Sequence, residues 1–421
     1  MSPSRLITIA LGSAVVATSV SAQSLANKVA SASDRSVEFT YKARPGVCGD
    51  GRTYISTGPG NFYGYYSSDR NDQCQAGPVR VVVDLADRNV IALRTYVGTP
   101  GAATDAGTNL GKVSPSDAAD FLLGVASRAD GRVGRDAIFA ALLGDSVDLT
   151  SRLLAIGRDA NRPLETRRAA LAGLSRSDSQ QLDAIGSTLV QIATNDNDVQ
   201  GVRSEALHVL SRLDHGAGIQ PLIRLANANN TTWISRESMQ VLAGSGDPRA
   251  RDFLRATAQR TDLPDELQAL AIRGLGRNYV TGQDASLLRS LYPKLTGERS
   301  RDAVLSSIAN LGGADNVQWL MSIVRNDQLA PEVRSRALQY LSRAGAPTAS
   351  LVALYDPLTD QQLRSALINI YARAADKAAT DKLVWIARNE QNSQLKRRAI
   401  NALSRNSDPT IRQALQDIVE R

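Results

Sequence analysis

APEVRSRALQYLSRAG, Ala330 to Gly345, returns along the chain in altered form. PLETRRAALAGLSRS (Pro163–Ser177), QGVRSEALHVLSRLD (Gln200–Asp214) and SQLKRRAINALSRNSD (Ser393–Asp408) share its skeleton. Each has a small residue followed by an apolar one, with a second apolar residue three positions on. The small residues fall at Ala137, Ala170, Ala206, Ser238, Ala271, Ser307, Ala337, Ala366 and Ala399, at successive spacings of 33, 36, 32, 33, 36, 30, 29 and 33. A near-constant period in this range is the signature of a solenoid. Upstream of each anchor lies a second apolar stripe, such as Leu153-Leu154-x-Ile156, Leu189-Val190-x-Ile192 or Leu383-Val384-x-Ile386. The periodicity is helical, not alternating. Breaks such as NRPLE (Asn161–Glu165), TDLPDE (Thr261–Glu266) and DQLAPE (Asp327–Glu332) separate the stripes, with proline starting the second helix. The spacing therefore predicts pairs of antiparallel helices stacked around a shared core, about nine of them.

Val202-Arg203-x-x-Ala206 and Val333-Arg334-x-x-Ala337 resemble the second-helix signature of HEAT repeats, in the short form also found in phycobilin-lyase-type proteins. Leu395-Lys396-x-x-Ala399 and Thr166-Arg167-x-x-Ala170 are weaker copies; Gln268 stands where Arg is expected, and the copies at Ser307 and Ala366 lack the Arg. The resemblance covers residues 114–421 and implies a mostly α fold, a right-handed α-solenoid of HEAT-like hairpins. It also implies an inter-repeat ladder for Arg167, Arg203 and Arg334. Ankyrin and tetratricopeptide signatures are absent from the sequence.

The amino terminus reads differently. A single Arg in MSPSR, the apolar run LITIALGSAVVATSV and the small residues Val20-Ser21-Ala22 make residues 1–22 a secretory signal peptide. An uncleaved anchor is the alternative, disfavoured by the shortness of the run. The mature chain is then periplasmic or extracellular, with no later segment apolar enough to cross a bilayer. Cys48 and Cys74 read as a disulfide in that compartment, two free thiols being the other reading. Closing that loop is worth roughly 3 kcal/mol on the chain-entropy estimate. The formal charge of +7 includes Arg5 of the leader, leaving 7 − 1 = +6. Such a surface suits anionic partners (envelope polymers, lipid head groups, acidic proteins), and export makes nucleic acid an unsuitable one.

Residues 23–98 read as a small disulfide-bonded β domain, 99–113 as a Gly- and Thr-rich linker, and 114–421 as the solenoid. SVEFTYKA alternates Val37, Phe39 and Tyr41 against Glu38, Thr40 and Lys42, a half-buried strand. VRVVVDL places Val79, Val81, Val83 and Leu85 on one face; ADRN then turns the chain into VIALRTYV, a hairpin. Cys48-Gly49-Asp50-Gly51 reads as a turn. Ser114-Pro115-Ser116-Asp117 opens the first helix with a capping-box-like pattern. Inside the Cys48–Cys74 loop, GNFYGYYSSDRND gathers Phe62, Tyr63, Tyr65 and Tyr66. These rings are either a recognition surface or a small core beside a Gly-rich turn.

The LSR that closes the opening motif recurs. Arg176, Arg212, Arg277, Arg343, Arg373 and Arg405 sit at second-helix C-termini, followed by Asp178, Asp214, Asp376 and Asp408, while Asp247 and Asp315 stand in repeats that lack the Arg. In one reading the Arg complements the helix dipole and the Asp caps the next helix. In the other, arginines at equivalent places in stacked repeats form a cationic ridge for phosphate or carboxylate groups. Catalytic signatures are missing. His208 and His215 have no metal-ligand spacing, and there is neither a nucleophile elbow nor a phosphate-binding loop. The HEAT resemblance implies two enzymatic precedents, phycobilin lyases and HEAT-like DNA glycosylases, which act inside cells. The sequence thus predicts an exported, non-catalytic, cofactor-free scaffold binding a protein or anionic envelope partner through the solenoid's surface. A structural envelope component and a lyase-like enzyme are the alternatives. Candidate binding residues are the six arginines with Tyr63, Tyr65 and Tyr66.

Overall fold

A computed structural model describes residues 24–52, 54, 75–99, 107–129, 131–176, 181–227, 232–277, 282–374, 376–405, 412–413 and 415–416. The expected signal peptide, Cys74 and the tyrosines at 63, 65 and 66 lie outside the described residues. The chain divides into two compact units, Met1–Gly173 and Leu174–Arg421.

The first unit runs α1 (Leu25–Ser31), β1 (Ser36–Tyr41), β2 (Cys48–Gly49), β3 (Gln75–Ala76), β4 (Val79–Ala86), β5 (Asn89–Val97), β6 (Thr108–Lys112), α2 (Pro115–Ala126), α3 (Gly131–Leu142), α4 (Thr150–Arg158) and α5 (Leu164–Gly173). Four strands form one sheet in the order β5-β4-β1-β6, antiparallel except for the β1–β6 pair. The hairpin expected at ADRN is present, its loop formed by Asp87 (φ 48°) and Arg88 (φ 64°). Two successive left-handed residues give the primed turn whose twist matches the flanking strands. Val37, Phe39 and Tyr41 are buried as the alternation predicts. On the opposite face Thr40 is half-exposed and Lys42 exposed, but Glu38 is not. Glu38 is only 2% exposed, accepting from Asn109 Nδ2 at 2.7 Å and pairing with Arg80 at 3.4 Å. The Tyr96 ring lies 4.1 Å from that guanidinium. Alternation reports one face's apolarity and says nothing of what covers the other.

The linker segment supplies a strand, since β6 lies within 99–113 and pairs with β1. The sheet is also fastened directly to the first helices. Tyr41 donates to the Ala140 carbonyl at 2.5 Å, and Phe39 meets Phe121 edge-on at 5.8 Å. Lys42 pairs with Asp145 at 2.6 Å. Burial raises the Tyr41 phenol far above its ordinary pKa, fixing it as a donor. The region read as a β domain therefore shares a core with the first helical pair, α2 and α3. The segment at Cys48 is not a simple turn: β2 pairs with β3 and lies on the end of β5. A Cβ on Gly49 would meet the Val97 carbonyl oxygen at 2.5 Å, so the approach needs glycine there. Cys48 is not a free thiol; its pairing with Cys74 falls outside the described residues.

The second unit comprises α6 (Leu182–Thr194), α7 (Gln200–Arg212), α8 (Ile219–Ala226), α9 (Trp233–Gly244), α10 (Pro248–Ala258), α11 (Asp265–Leu275), α12 (Gly282–Leu291), α13 (Glu298–Leu311), α14 (Ala314–Arg325), α15 (Pro331–Arg343), α16 (Thr348–Val352), α17 (Gln361–Ala374), α18 (Lys377–Asn389) and α19 (Ser393–Leu403). Odd-numbered helices are the second members of the pairs. They pack in a row, α7 on α9, then α11, α13, α15, α17 and α19, as a helical-repeat solenoid requires. With α2–α5, nine pairs are present among the described residues.

The anchors occupy the packed line between helices. Every one from Ala137 to Ala399 is buried except Ala366, which is half-exposed opposite the 5-residue helix α16. Small residues stand there because anything larger would push the helices apart. Ser307 Oγ donates to the Ile272 carbonyl at 3.1 Å, whereas the buried Ser238 hydroxyl has no hydrogen-bond partner among the described residues. Ser238→Ala removes that desolvated group and matches the alanines of other repeats. It is expected to stabilise the chain by roughly 1 kcal/mol, read as a raised midpoint in urea denaturation. A lowered midpoint would mean that the hydroxyl has a partner in solution.

Candidate functional site

The arginines at second-helix starts bond to the first helix of their own repeat, and Arg203 also reaches the next repeat, its guanidinium 4.8 Å from the Trp233 ring centroid. Arg167 Nε donates to the Gly157 carbonyl at 3.0 Å, Arg203 to Ala193 at 3.0 Å and Arg334 to Val324 at 2.9 Å. Gln268, standing where Arg is expected, does the same to Ala258 at 3.1 Å. Each is the fourth residue of its helix and reaches ten residues back, to the last turn of the first helix. Carbonyls there lack intrahelical donors. The side chains are spent on capping and present little surface.

Helix-end arginines are placed differently. Parallel packing of the second helices brings their C-termini to one edge of the second unit. Arg277, Arg343, Arg373 and Arg405 are exposed at that edge. None of the four forms an ion pair among the described residues, and Arg343 lies 5.8 Å from the Tyr340 ring centroid. Arg212 is half-buried and paired with Glu205 of its own helix at 2.8 Å. Arg176 ends the 3-10 turn Leu174–Arg176; its side chain is outside the description.

Two of the acidic residues that could have cancelled the ridge, Asp247 and Asp376, are engaged in helix caps. Asp247 caps α10, accepting from Arg249 N at 2.8 Å, and also pairs with the Arg249 guanidinium. The guanidinium bond holds its carboxyl below the ordinary range. Asp376 caps α18 through Ala379 N at 2.9 Å and is likewise lowered by the backbone bond. Asp214 lies in a 3-10 turn and Asp315 in the first turn of α14, so neither is an N-cap. Asp178 and Asp408 are outside the described residues. Capping thus holds for two of the aspartates.

Elsewhere along the second helices the charges are matched across repeats. Glu266 of α11 lies 3.6 Å from Arg236 of α9 and 3.5 Å from Arg299 of α13. Arg336 of α15 reaches Glu298 at 2.9 Å and Asp302 at 3.5 Å, both on α13. Two inter-repeat ties went unseen in the sequence. Asp265 of α11 accepts from Arg299 N and Ser300 N, both at 2.9 Å, and so caps α13. The residue preceding α13 is Gly297, where a Cβ would lie 1.8 Å from the Asp265 carboxylate. Asp284 of α12 is fully buried between Arg251 and Arg255 of α10. Both histidines are exposed, and His208 Nδ1 lies 2.9 Å from the Ser204 carbonyl. Among the described residues no cluster of His, Cys, Asp or Glu is placed to hold a metal, and no helix is long and apolar enough to cross a membrane.

No protein family's profile matches the sequence, and no curated protein matches it either. Solved structures do. Human deoxyhypusine hydroxylase is 14% identical, with a TM-score of 0.28 over 57% of this chain and 97% of that one. Lipovitellin is 14% identical, with a TM-score of 0.45 over 82% of this chain and 40% of its own. The UNC-45 chaperone that binds and folds muscle myosin is 14% identical, with a TM-score of 0.24 over 70% and 44%. At such identities and TM-scores none of them bears on the role of this chain.

Proposed function

We propose that this chain is an exported, non-catalytic scaffold whose right-handed solenoid binds an acidic protein or anionic envelope polymer along one edge. The observation that carries this reading is the set Arg277, Arg343, Arg373 and Arg405, exposed and free of ion pairs among the described residues at second-helix C-termini. Packed helices lie about 8–10 Å apart, so Arg343, Arg373 and Arg405, on three successive second helices, form a short row. Guanidinium groups present paired donors to carboxylates and phosphates, which suits a repetitive anionic ligand. The Cys48–Cys74 disulfide and the signal peptide belong to the same reading, as features of an oxidising compartment.

The test is capture from envelope extract on immobilised protein, in parallel with the Arg343→Glu, Arg373→Glu, Arg405→Glu triple variant. All three side chains are exposed, so the variant should fold with stability close to the parent's. A partner held at low salt, released at high salt and absent from the variant column is the expected result. Equal capture on both columns would reject the ridge and turn attention to the tyrosine segment.

A further inference from the structure

The opposite edge of the second unit, where first helices turn into second ones, has a different charge pattern. Three such turns, taken with the helix starts that follow them, are acidic: Asp196 and Asp198 before α7; Asp262 before α11, with Asp265 and Glu266 in its first turn; Asp327 before α15, with Glu332 in its first turn. The α18–α19 turn departs from them. Residues 385–398, WIARNEQNSQLKRR, contain Arg388, Lys396, Arg397 and Arg398 against the single acid Glu390. That acid is withdrawn from the surface. Glu390 is buried, pairs with Arg364 at 2.7 Å and accepts from the Tyr355 hydroxyl at 2.9 Å. Although burial opposes its ionisation, hydrogen bonds from Asn392 N and Tyr355, with the Arg364 charge, hold its carboxyl below the ordinary range. Arg388, Arg397 and Arg398 are exposed and Lys396 is half-exposed.

An aromatic ring lies on the same arm of the hairpin, three residues before Arg388. Trp385, one turn from the end of α18, is 44% exposed, one of few large apolar side chains left so open. Lys382 Nζ lies 4.2 Å from its ring centroid, and the Lys382 ammonium also pairs with Asp356 at 2.7 Å. Trp385 and Arg397 lie at matching heights on the two arms of the hairpin, each four residues from its helix end. An indole flanked by cations, on the turn of a helical hairpin, has the composition of a membrane-interface contact. The ring suits the headgroup boundary while the cations meet anionic lipid.

We propose that the α18–α19 turn docks the protein on anionic phospholipid headgroups, through Trp385, Arg388, Arg397 and Arg398. The site is separate from the arginine row, which lies at the other edge. The experiment is co-sedimentation of the full chain with vesicles of phosphatidylglycerol in phosphatidylcholine, and with phosphatidylcholine alone. Binding is expected only to the anionic vesicles and should be lost at high salt. Each cation near such a surface is worth about fivefold in partitioning, so Arg397→Glu with Arg398→Glu should weaken it at least roughly 25-fold. Tryptophan emission should shift to the blue on anionic vesicles, and Trp385→Phe, which leaves Trp233 and Trp319 in place, should abolish the shift. The Arg343→Glu, Arg373→Glu, Arg405→Glu variant should sediment as the parent does. Equal binding to neutral vesicles, an undiminished Arg397/Arg398 variant, or binding to inorganic polyphosphate without binding to vesicles would each overturn the proposal. None of these would bear on capture by the arginine row. Loss of capture by that row with vesicle binding intact would reject the scaffold reading alone.

Discussion

Asp284→Ala is expected to destabilise the chain by about 3–5 kcal/mol, a large fraction of what holds an ordinary domain folded. Asp284 has no solvent exposure. Its carboxylate accepts from Arg251 Nε at 3.0 Å and Arg255 Nε at 2.7 Å, and the Arg251 Nη2 lies 2.9 Å away. Arg251 Nη2 also donates to the Leu275 carbonyl at 2.8 Å, and Arg255 pairs with Asp252 at 2.8 Å. One acid on α12 therefore organises two bases on α10 and, through Arg251, the end of α11. Alanine would leave both guanidiniums facing a cavity with their common counter-charge gone, Arg255 keeping Asp252, and buried charge that loses its counter-charge is the costly case. Asp284→Asn keeps the shape and removes the charge, so its loss should be smaller. Replacing all three residues by apolar ones of similar size, Asp284→Leu with Arg251→Met and Arg255→Met, should recover most of the stability, because the penalty comes from the unmatched charge and not from the missing bonds. Urea denaturation midpoints with a common slope would measure all three. A loss below about 1 kcal/mol for Asp284→Ala would show that water reaches the arginines and that the burial is incomplete in solution.

That cluster also shows what the sequence made legible. The helical period could be read because buried alanine or serine at the packing line recurs whatever surrounds it, and Ala206, Ala271 and Ala337 are all fully buried. Gln268 looked like a departure from the repeat, yet its amide makes the same bond as Arg203 and Arg334. A donor at that place is common to all of them. The polar ties between repeats were not read, although a signal existed. Arg251 and Asp284 are 33 residues apart and Asp265 and Ser300 are 35 apart, distances within the range of the repeat itself. A search for complementary groups one period apart would have found them. Glu38 was missed for a different reason, since a charged residue in an alternating strand reads as solvent-facing unless its partners Arg80 and Asn109, distant in sequence, are known. The two edges of the second unit divide in the same way. The arginine row was visible because it repeats. The basic α18–α19 turn was not, because its character depends on Glu390 being turned inward against Tyr355 and Arg364.

Arg334 tests whether the donor or the charge is what the repeat needs. Its side chain is buried, and Nε donates to the Val324 carbonyl at 2.9 Å, in the last turn of α14. Arg334→Ala would leave that carbonyl without its donor and remove the alkyl stem packed between the helices, for a loss of about 2–3 kcal/mol. Arg334→Gln places an amide where Gln268 has one, and Gln268 Nε2 reaches both the Ala258 carbonyl at 3.1 Å and the Arg260 carbonyl at 2.7 Å. The glutamine variant should therefore lose less than about 1 kcal/mol. The reciprocal change, Gln268→Arg, should be close to neutral, since Arg203 makes the same bond to Ala193 in its own repeat at 3.0 Å. Chemical denaturation of the three variants separates the possibilities. If Arg334→Gln proves as damaging as Arg334→Ala, the positive charge at the helix C-terminus is the stabilising element, and Gln268 marks a weak joint in the stack. If glutamine serves, the capped first-helix terminus is the unit that the repeat preserves, and any residue able to deliver one N–H to that carbonyl can hold a hairpin closed.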